Sequence, residues 1–301
     1  MYFKALNVLT LVILSVFSST ISGKETTIVA DHLFNSQTGE LDANPIIKIN
    51  EGKVTSVAFG APPVTEGLID LRGHTVMPGL IDMHTHLTSS ASAHGYKRLA
   101  ISPTRAALSG TKHAEKTLLS GVTTVRNIGA PGFVDIDLRD AINSGDIIGP
   151  RMFTSGPSLS ITGGHCDNNL LPYSAKAKSE GFADGPWEVA KIVRRNIKYG
   201  ADVIKLCATG GVLSKGTKVG VQQYTFEEMK RAVEEAHRRG KTVAAHAHGT
   251  EGIYEAIRAG VDTVEHASFI DERGIKLAKK MMSIKPFYMC MSCLLIFCGI
   301  K

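Results

Sequence analysis

The chain has 301 residues, of which 43% are hydrophobic and 21% charged, enough apolar material for a large core and too much for a disordered segment. Its formal charge of +6 is spread along the sequence without a dense Lys/Arg run, which argues against a nucleic-acid partner. Five cysteines leave at least one thiol without an internal partner.

The N-terminus has the layout of a secretory signal peptide. Lys4 precedes an apolar run from Ala5 to Phe17, and small polar residues follow, with cleavage expected after Ser22 or Gly23. The run is shorter than the roughly 20 residues a spanning helix needs, so residues 1–23 read as an export signal, with no stable membrane span once it is removed.

From 24 to 77 short alternating stretches, "TTIVADHLF", "PIIKINEGKVTSVAFG" and "LIDLRGHTVM", predict a small β-subdomain, with a hairpin turn at Asn50-Glu51-Gly52. Beyond Pro78 apolar strands alternate with amphipathic helices, the pattern of a parallel α/β fold. Strands are expected at "GLIDMHTHL", "VTTVRNIG", "RMFTSG", "DVIKLCA", "TVAAHAHG" and "DTVEHAS". The helices between them are clearest in "PWEVAKIVRRNIKYG", "TFEEMKRAVEEAHRRG" and "EGIYEAIRAG", each ending in glycine. No GxGxxG follows any strand, which disfavours a dinucleotide fold and favours a barrel with its chemistry at the carboxyl ends of the strands.

His84 and His86, two apart on a strand, point to the same face. Lys205 sits among residues too apolar for an ordinary solvated lysine, and His246, His248 and His266 end later strands. A lone strand histidine is usually a hydrogen-bonded core residue. Together these side chains point to one metal centre, beside which a buried ammonium would be repelled unless it lost its charge or reacted. Carbamylation would make Lys205 an anionic ligand able to bridge two metals; a catalytic amine or a snorkelling side chain is the alternative. Cys166 and Cys207 stand alone in the sequence, while Cys290 and Cys293 have CxxC spacing with no second pair nearby, weak support for a zinc knuckle. The charges from Glu227 to Glu235 read as a solvated helix face.

"PGLIDMHTHL", the lysine in "IKLCATGG", "AAHAHG" and "VEHAS" resemble the amidohydrolase superfamily, in the binuclear branch of imidazolonepropionase-like proteins and Xaa-Pro or Xaa-Arg dipeptidases. The resemblance implies a (β/α)8 barrel of the TIM type beside a small β-sandwich. It implies two divalent ions, most simply zinc, held by His84, His86, carboxylated Lys205, His246 and His266. It implies hydrolysis of amide or peptide C–N bonds in short peptides or N-acyl amino acids. His165, on a Gly-flanked loop in "SITGGHCD", and Tyr254 are similar to residues that hydrogen-bond the scissile carbonyl; a surface loop residue and helix packing are their plainer readings. His248 would support the ligands from behind. Imidazolone ring opening or deamination is the rival chemistry, and an inactive remnant or binding scaffold is the rival outside enzymes. A homo-oligomer is compatible with the resemblance.

About six β/α units are legible, from 78 to 285. The stretch 286–301 is apolar and cysteine-rich and departs from the family pattern, so the expectation is a truncated or frameshifted product with at most a fragment of a seventh strand, no eighth-strand acid to exchange the proton, and impaired chemistry even where the ligands assemble.

Overall fold

A computed structural model of the protein describes residues 25–64, 66–90, 92–93, 95–283 and 288–290; the expected signal segment and most of the 286–301 stretch lie outside them. The chain divides into two compact units at Pro78.

In the first unit, β1 (Thr26–Phe34), β2 (Leu41–Ala43), β3 (Pro45–Asn50), β4 (Lys53–Phe59) and β5 (Leu68–Val76) form one sheet. β1 is its centre, antiparallel to β2 and β3 and parallel to β5. Asn50 and Lys53 pair across the hairpin that joins β3 to β4, where Glu51 and Gly52 both take positive φ. A sandwich implies two layers; the described strands all belong to one, and β4 is exposed along its whole length.

The second unit alternates parallel strands with helices. In chain order they are β6 (Leu80–Thr85), α1 (Pro103–Leu119), β7 (Val122–Asn127), α2 (Val134–Ser144), β8 (Arg151–Thr154) and α3 (Gly185–Lys198). After these come β9 (Val203–Cys207), α4 (Phe226–His237), β10 (Thr242–Ala247), α5 (Thr250–Ala259), β11 (Thr263–His266), α6 (Glu272–Met282) and β12 (Tyr288–Cys290). β6, β7 and β8 pair in parallel, as do β9, β10, β11 and β12. The gap between the groups is bridged by Leu159, whose N–H donates to the Lys205 carbonyl at 2.8 Å and whose carbonyl accepts from Cys207 N–H at 3.0 Å. β12 adds a seventh parallel strand of three residues, where the sequence allowed at most a fragment of one and carried too little periodicity to place it.

Two faces of these strands have different jobs. Ile204, Leu206, Val243, Ala245, Ala247 and Val264 pack against helix residues Val189, Val193, Met229, Val233, Ile253 and Ile257. Burial of this shared core holds the helices to the sheet. The intervening positions, among them Lys205, His246 and Glu265, face the other way. Caps end the connections cleanly: Ser102 accepts from Arg105 N–H at α1, Thr225 and Glu228 form a reciprocal capping box at α4, and Asp271 accepts from Gly274 N–H at α6.

Asp135, at the start of α2, is the hub beneath the first strands. It is fully buried and accepts from Ser155 N–H at 3.2 Å, Gly156 N–H at 3.1 Å and the Asn127 amide at 3.3 Å. The Asn127 carbonyl oxygen in turn accepts from Leu87 N–H at 2.7 Å, one residue beyond His86. Burial pushes the Asp135 carboxyl up to about 6 from 3.8, against the pull of those donors. The folded state thus holds this proton more tightly than the unfolded chain, and the contribution of Asp135 to stability falls as pH rises from about 4 to about 6, by on the order of 3 kcal/mol. In urea unfolding across that window, the stability of the native sequence minus that of Asp135→Asn should fall with this slope, the opposite contribution of the depressed histidines being common to both chains. Asp135→Ala, which strands two buried N–H groups, should cost about 2–4 kcal/mol.

Candidate metal centre

The carboxyl ends of β6, β9, β10 and β11 bring His84, His86, Lys205, His246 and His266 together. Ring centroids of His84 and His86 are 5.3 Å apart, His84 and His266 4.9 Å, and His246 and His266 4.8 Å. Lys205 is 3% exposed, and its charge acts on His84, His86, His246 and His266 alike. His248 also joins the group: its ring stacks on His266 at 4.6 Å, and ligand atoms of His246, His248 and His266 all lie within 4.8 Å of one another. Its Nδ1 is 2.8 Å from the Ser268 hydroxyl.

His266 reaches the cluster by an unusual route. Val264 packs against the helices and Glu265 faces inward, so strand alternation alone would send His266 toward the helices. The backbone instead takes φ of 72° at His266 and 48° at Ala267, both left-handed, and swings the ring inward. Such conformations in residues with a side chain cost energy and collect at functional sites.

Sequence reasoning missed the group that orients the centre. Glu265 is fully buried, and its carboxylate accepts from Arg126 at 2.6 Å and from Thr263 Oγ1 at 2.7 Å, with His84 Nδ1 at 3.0 Å. Arg126 is spent on the same task, donating also to the Met83 carbonyl at 2.8 Å. Burial opposes ionisation of Glu265, but the His84 hydrogen bond and the positive charges of Lys205 and Arg126 outweigh it and hold the carboxyl well below the usual range. An ionised Glu265 accepts the His84 Nδ1 proton and leaves Nε2 free; likewise His86 Nδ1 donates to the Gly129 carbonyl at 3.1 Å. The signal was an acid inside the apolar strand "TVEH", matched by an arginine inside "VTTVRN".

Every imidazole here is pushed toward its neutral form. Burial is the chief cause; neighbouring positive charge adds to it at His165, His246 and His266, the Glu265 hydrogen bond opposes it at His84, and His266 is lowered to about 3 and His165 to about 4. Neutral imidazole is the metal-binding form. His246 Nε2 and His165 Nδ1 are buried without a hydrogen-bond partner, the state of nitrogens that face a ligand. The donor set therefore fits a divalent metal.

His165 stacks on His246, with centroids 4.1 Å apart and planes 23° from parallel. Gly211 makes the room: a Cβ there would lie 2.3 Å from the His165 ring. Tyr254 is not brought into the cluster. Its place on α5 turns the ring toward α6, where the Arg273 guanidinium lies over it at 4.1 Å and both line a surface hollow with Asp271 and Lys276. Cys166 and Cys207, unconnected in the sequence reading, form a disulfide beside His165 and Lys205.

Parallel β/α architecture with histidines converging at strand ends defines a candidate metal site, and residues 75–285 match the sequence profile of the amidohydrolase family; the chain belongs to that family. It is 36% identical over 223 residues to ochratoxinase of Aspergillus niger, covering 68% of this chain and 46% of that protein. The chain therefore spans less than half the length of this curated relative. A crystal structure of a Xaa-Pro dipeptidase with bound methionine superposes with a TM-score of 0.80 at 38% identity, over 88% of this chain and 66% of the other. A prolidase complexed with N-methylphosphonate-L-proline gives 0.77 at 31%, over 89% and 66%. These neighbours place the resemblance in the Xaa-Pro dipeptidase branch.

If Glu265 orients His84, Glu265→Gln should weaken divalent-metal binding by about 10–100-fold in a chelator competition titration. Because Arg126 would then be buried against a neutral amide, unfolding should also become easier, by about 3–5 kcal/mol.

Proposed function

We propose that the chain is a hydrolase of amide C–N bonds that uses two zinc ions, most like a dipeptidase or carboxypeptidase acting on short peptides or N-acyl amino acids. The observation that carries this reading is the convergence of His84, His86, Lys205, His246 and His266, with the buried Nε2 of His246 unpartnered. Those five side chains would hold the metals, with Lys205 carboxylated, since an anionic carbamate suits a buried site among cations better than an ammonium does. When bound, the ions supply a Lewis acid and a water acidic enough to attack at neutral pH.

The chain's own residues orient the ligands and the substrate, while the proton-exchanging acid that the resemblance puts on an eighth strand lies on no described element, so turnover below that of a complete barrel is expected. Glu265 and the Gly129 carbonyl fix the ring faces of His84 and His86. His165, neutral and half-buried against His246, is placed to donate a hydrogen bond to the scissile carbonyl as it gains negative charge. The names of the relatives, Xaa-Pro dipeptidase, prolidase and ochratoxinase, support an amide or peptide substrate. The scaffold in this reading is a (β/α)8 barrel, of which seven parallel strands are described. The same reading makes the protein an exported one, which the Cys166–Cys207 disulfide supports. No helix among the described residues is long and apolar enough to cross a membrane.

The test is elemental analysis of the soluble chain prepared with zinc and bicarbonate, joined to release of free amino acids from Xaa-Pro dipeptides and N-acyl amino acids. About two metal ions per chain are expected. Lys205→Ala should retain less metal and gain nothing from bicarbonate, and His165→Ala should lower turnover with metal content unchanged. Fewer than one ion per chain in folded protein would overturn the proposal and leave a binding scaffold; two ions with release of ammonia instead of amino acids would move it to deamination.

A further inference from the structure

The disulfide joins two segments that meet at the histidine cluster. Cys166 follows His165 on its loop, and Cys207 ends β9 two residues beyond Lys205, opposite His246 in the strand register. Their Cα atoms are 6.3 Å apart across a sequence separation of 41 residues. Cys207 is fully buried, whereas Cys166 is half-buried.

The other bonds of this loop run elsewhere. Asp167 accepts from Gly163 N–H at 3.0 Å and Ser179 N–H at 2.8 Å, and the Asn169 amide donates to the carbonyls of Gly164 at 2.8 Å and Lys215 at 3.0 Å. His165 N–H donates to Gln223 at 2.9 Å. All of these tie loop to loop; among the described contacts of residues 163–169, the disulfide is the bond that reaches a strand carrying a candidate metal ligand. The ring itself has no hydrogen bond at Nδ1, so stacking on His246 and the position of its backbone decide where it points. A side chain held only by packing drifts when its backbone is freed.

We propose that the Cys166–Cys207 disulfide is a positioning link that holds His165 against His246, and that its reduction by a dithiol releases His165 from the metal centre. The inference rests on the hydrolase reading only for what His165 does to substrate. One thiolate of the reductant attacks the accessible Cys166 sulfur and expels Cys207 as a thiolate, which takes up a proton. The reductant's second thiol then closes on its first, freeing Cys166 as a thiol. Two electrons and two protons pass to the protein, and the reductant leaves as a cyclic disulfide.

The test uses the zinc-loaded 301-residue chain. Iodoacetamide alkylation and diethylpyrocarbonate modification are mapped peptide by peptide, before and after dithiothreitol, with metal content followed throughout. Without reductant, neither Cys166 nor Cys207 should alkylate; after it, both should. Modification of His165 should then rise several-fold while that of His113, on α1, stays constant. A Cys166→Ser, Cys207→Ser double variant should give the same His165 reactivity with no reductant present, which separates the effect from thiol binding to zinc. Alkylation of Cys166 or Cys207 in the untreated chain, unchanged His165 reactivity once both thiols have formed, or a parallel rise at His113 showing general loosening would each overturn the proposal. The hydrolase reading is judged separately, by the zinc count and amino-acid release of the untreated native chain.

Discussion

The histidine cluster depends on one buried carboxylate. Glu265 comes from β11, Arg126 from β7 and His84 from β6, so a single side chain joins strands from both runs of the parallel sheet. An isolated charge at full burial would be expelled or neutralised; this one survives because arginine, threonine and histidine all donate hydrogen bonds to it. The arrangement need add little to net stability. Its effect is directional, since it decides which nitrogen of His84 carries a proton and therefore which is available to a ligand.

A second constraint is electrostatic. Among the four candidate imidazoles His246 is buried, His84 and His266 are half-buried and His86 is exposed, and the basic group of Lys205 acts on all of them. Left as an ammonium, it raises the cost of charging any of them, which keeps the rings neutral but offers nothing to a cation. As a carbamate it would reverse sign and turn the same five positions into an anionic cage. Seen this way, the depressed basicity of the histidines and the burial of the lysine are two sides of one requirement.

Much of this was legible in the amino-acid order. The two-residue spacing of His84 and His86, an isolated lysine in an apolar run and histidines closing later strands follow from the alternation of a β-strand, and the structure gathers those side chains in one place. Local periodicity also located the helices and their glycine stops. What escaped was relational: Glu265 and Arg126 lie 139 residues apart and mean little until the sheet brings them together. The disulfide escaped for the same reason, because two separated cysteines announce no pairing. Tyr254 lies on α5, past the end of β10, and its ring rests under the guanidinium of Arg273, a contact between two helices that local sequence does not signal.

The left-handed backbone at His266 and Ala267 has a consequence for assembly. Ring placement there comes from a torsion at the end of β11, and Glu265, one residue earlier, is placed by the strand's pairing with β10. Were β11 to slip by a single residue, the carboxylate would leave Arg126 and His84 while the imidazole left His246, and the inward face would keep stranded charges with no partners. Misaligned chains are therefore penalised at the site itself, so that the pocket acts as a register lock for the sheet around it.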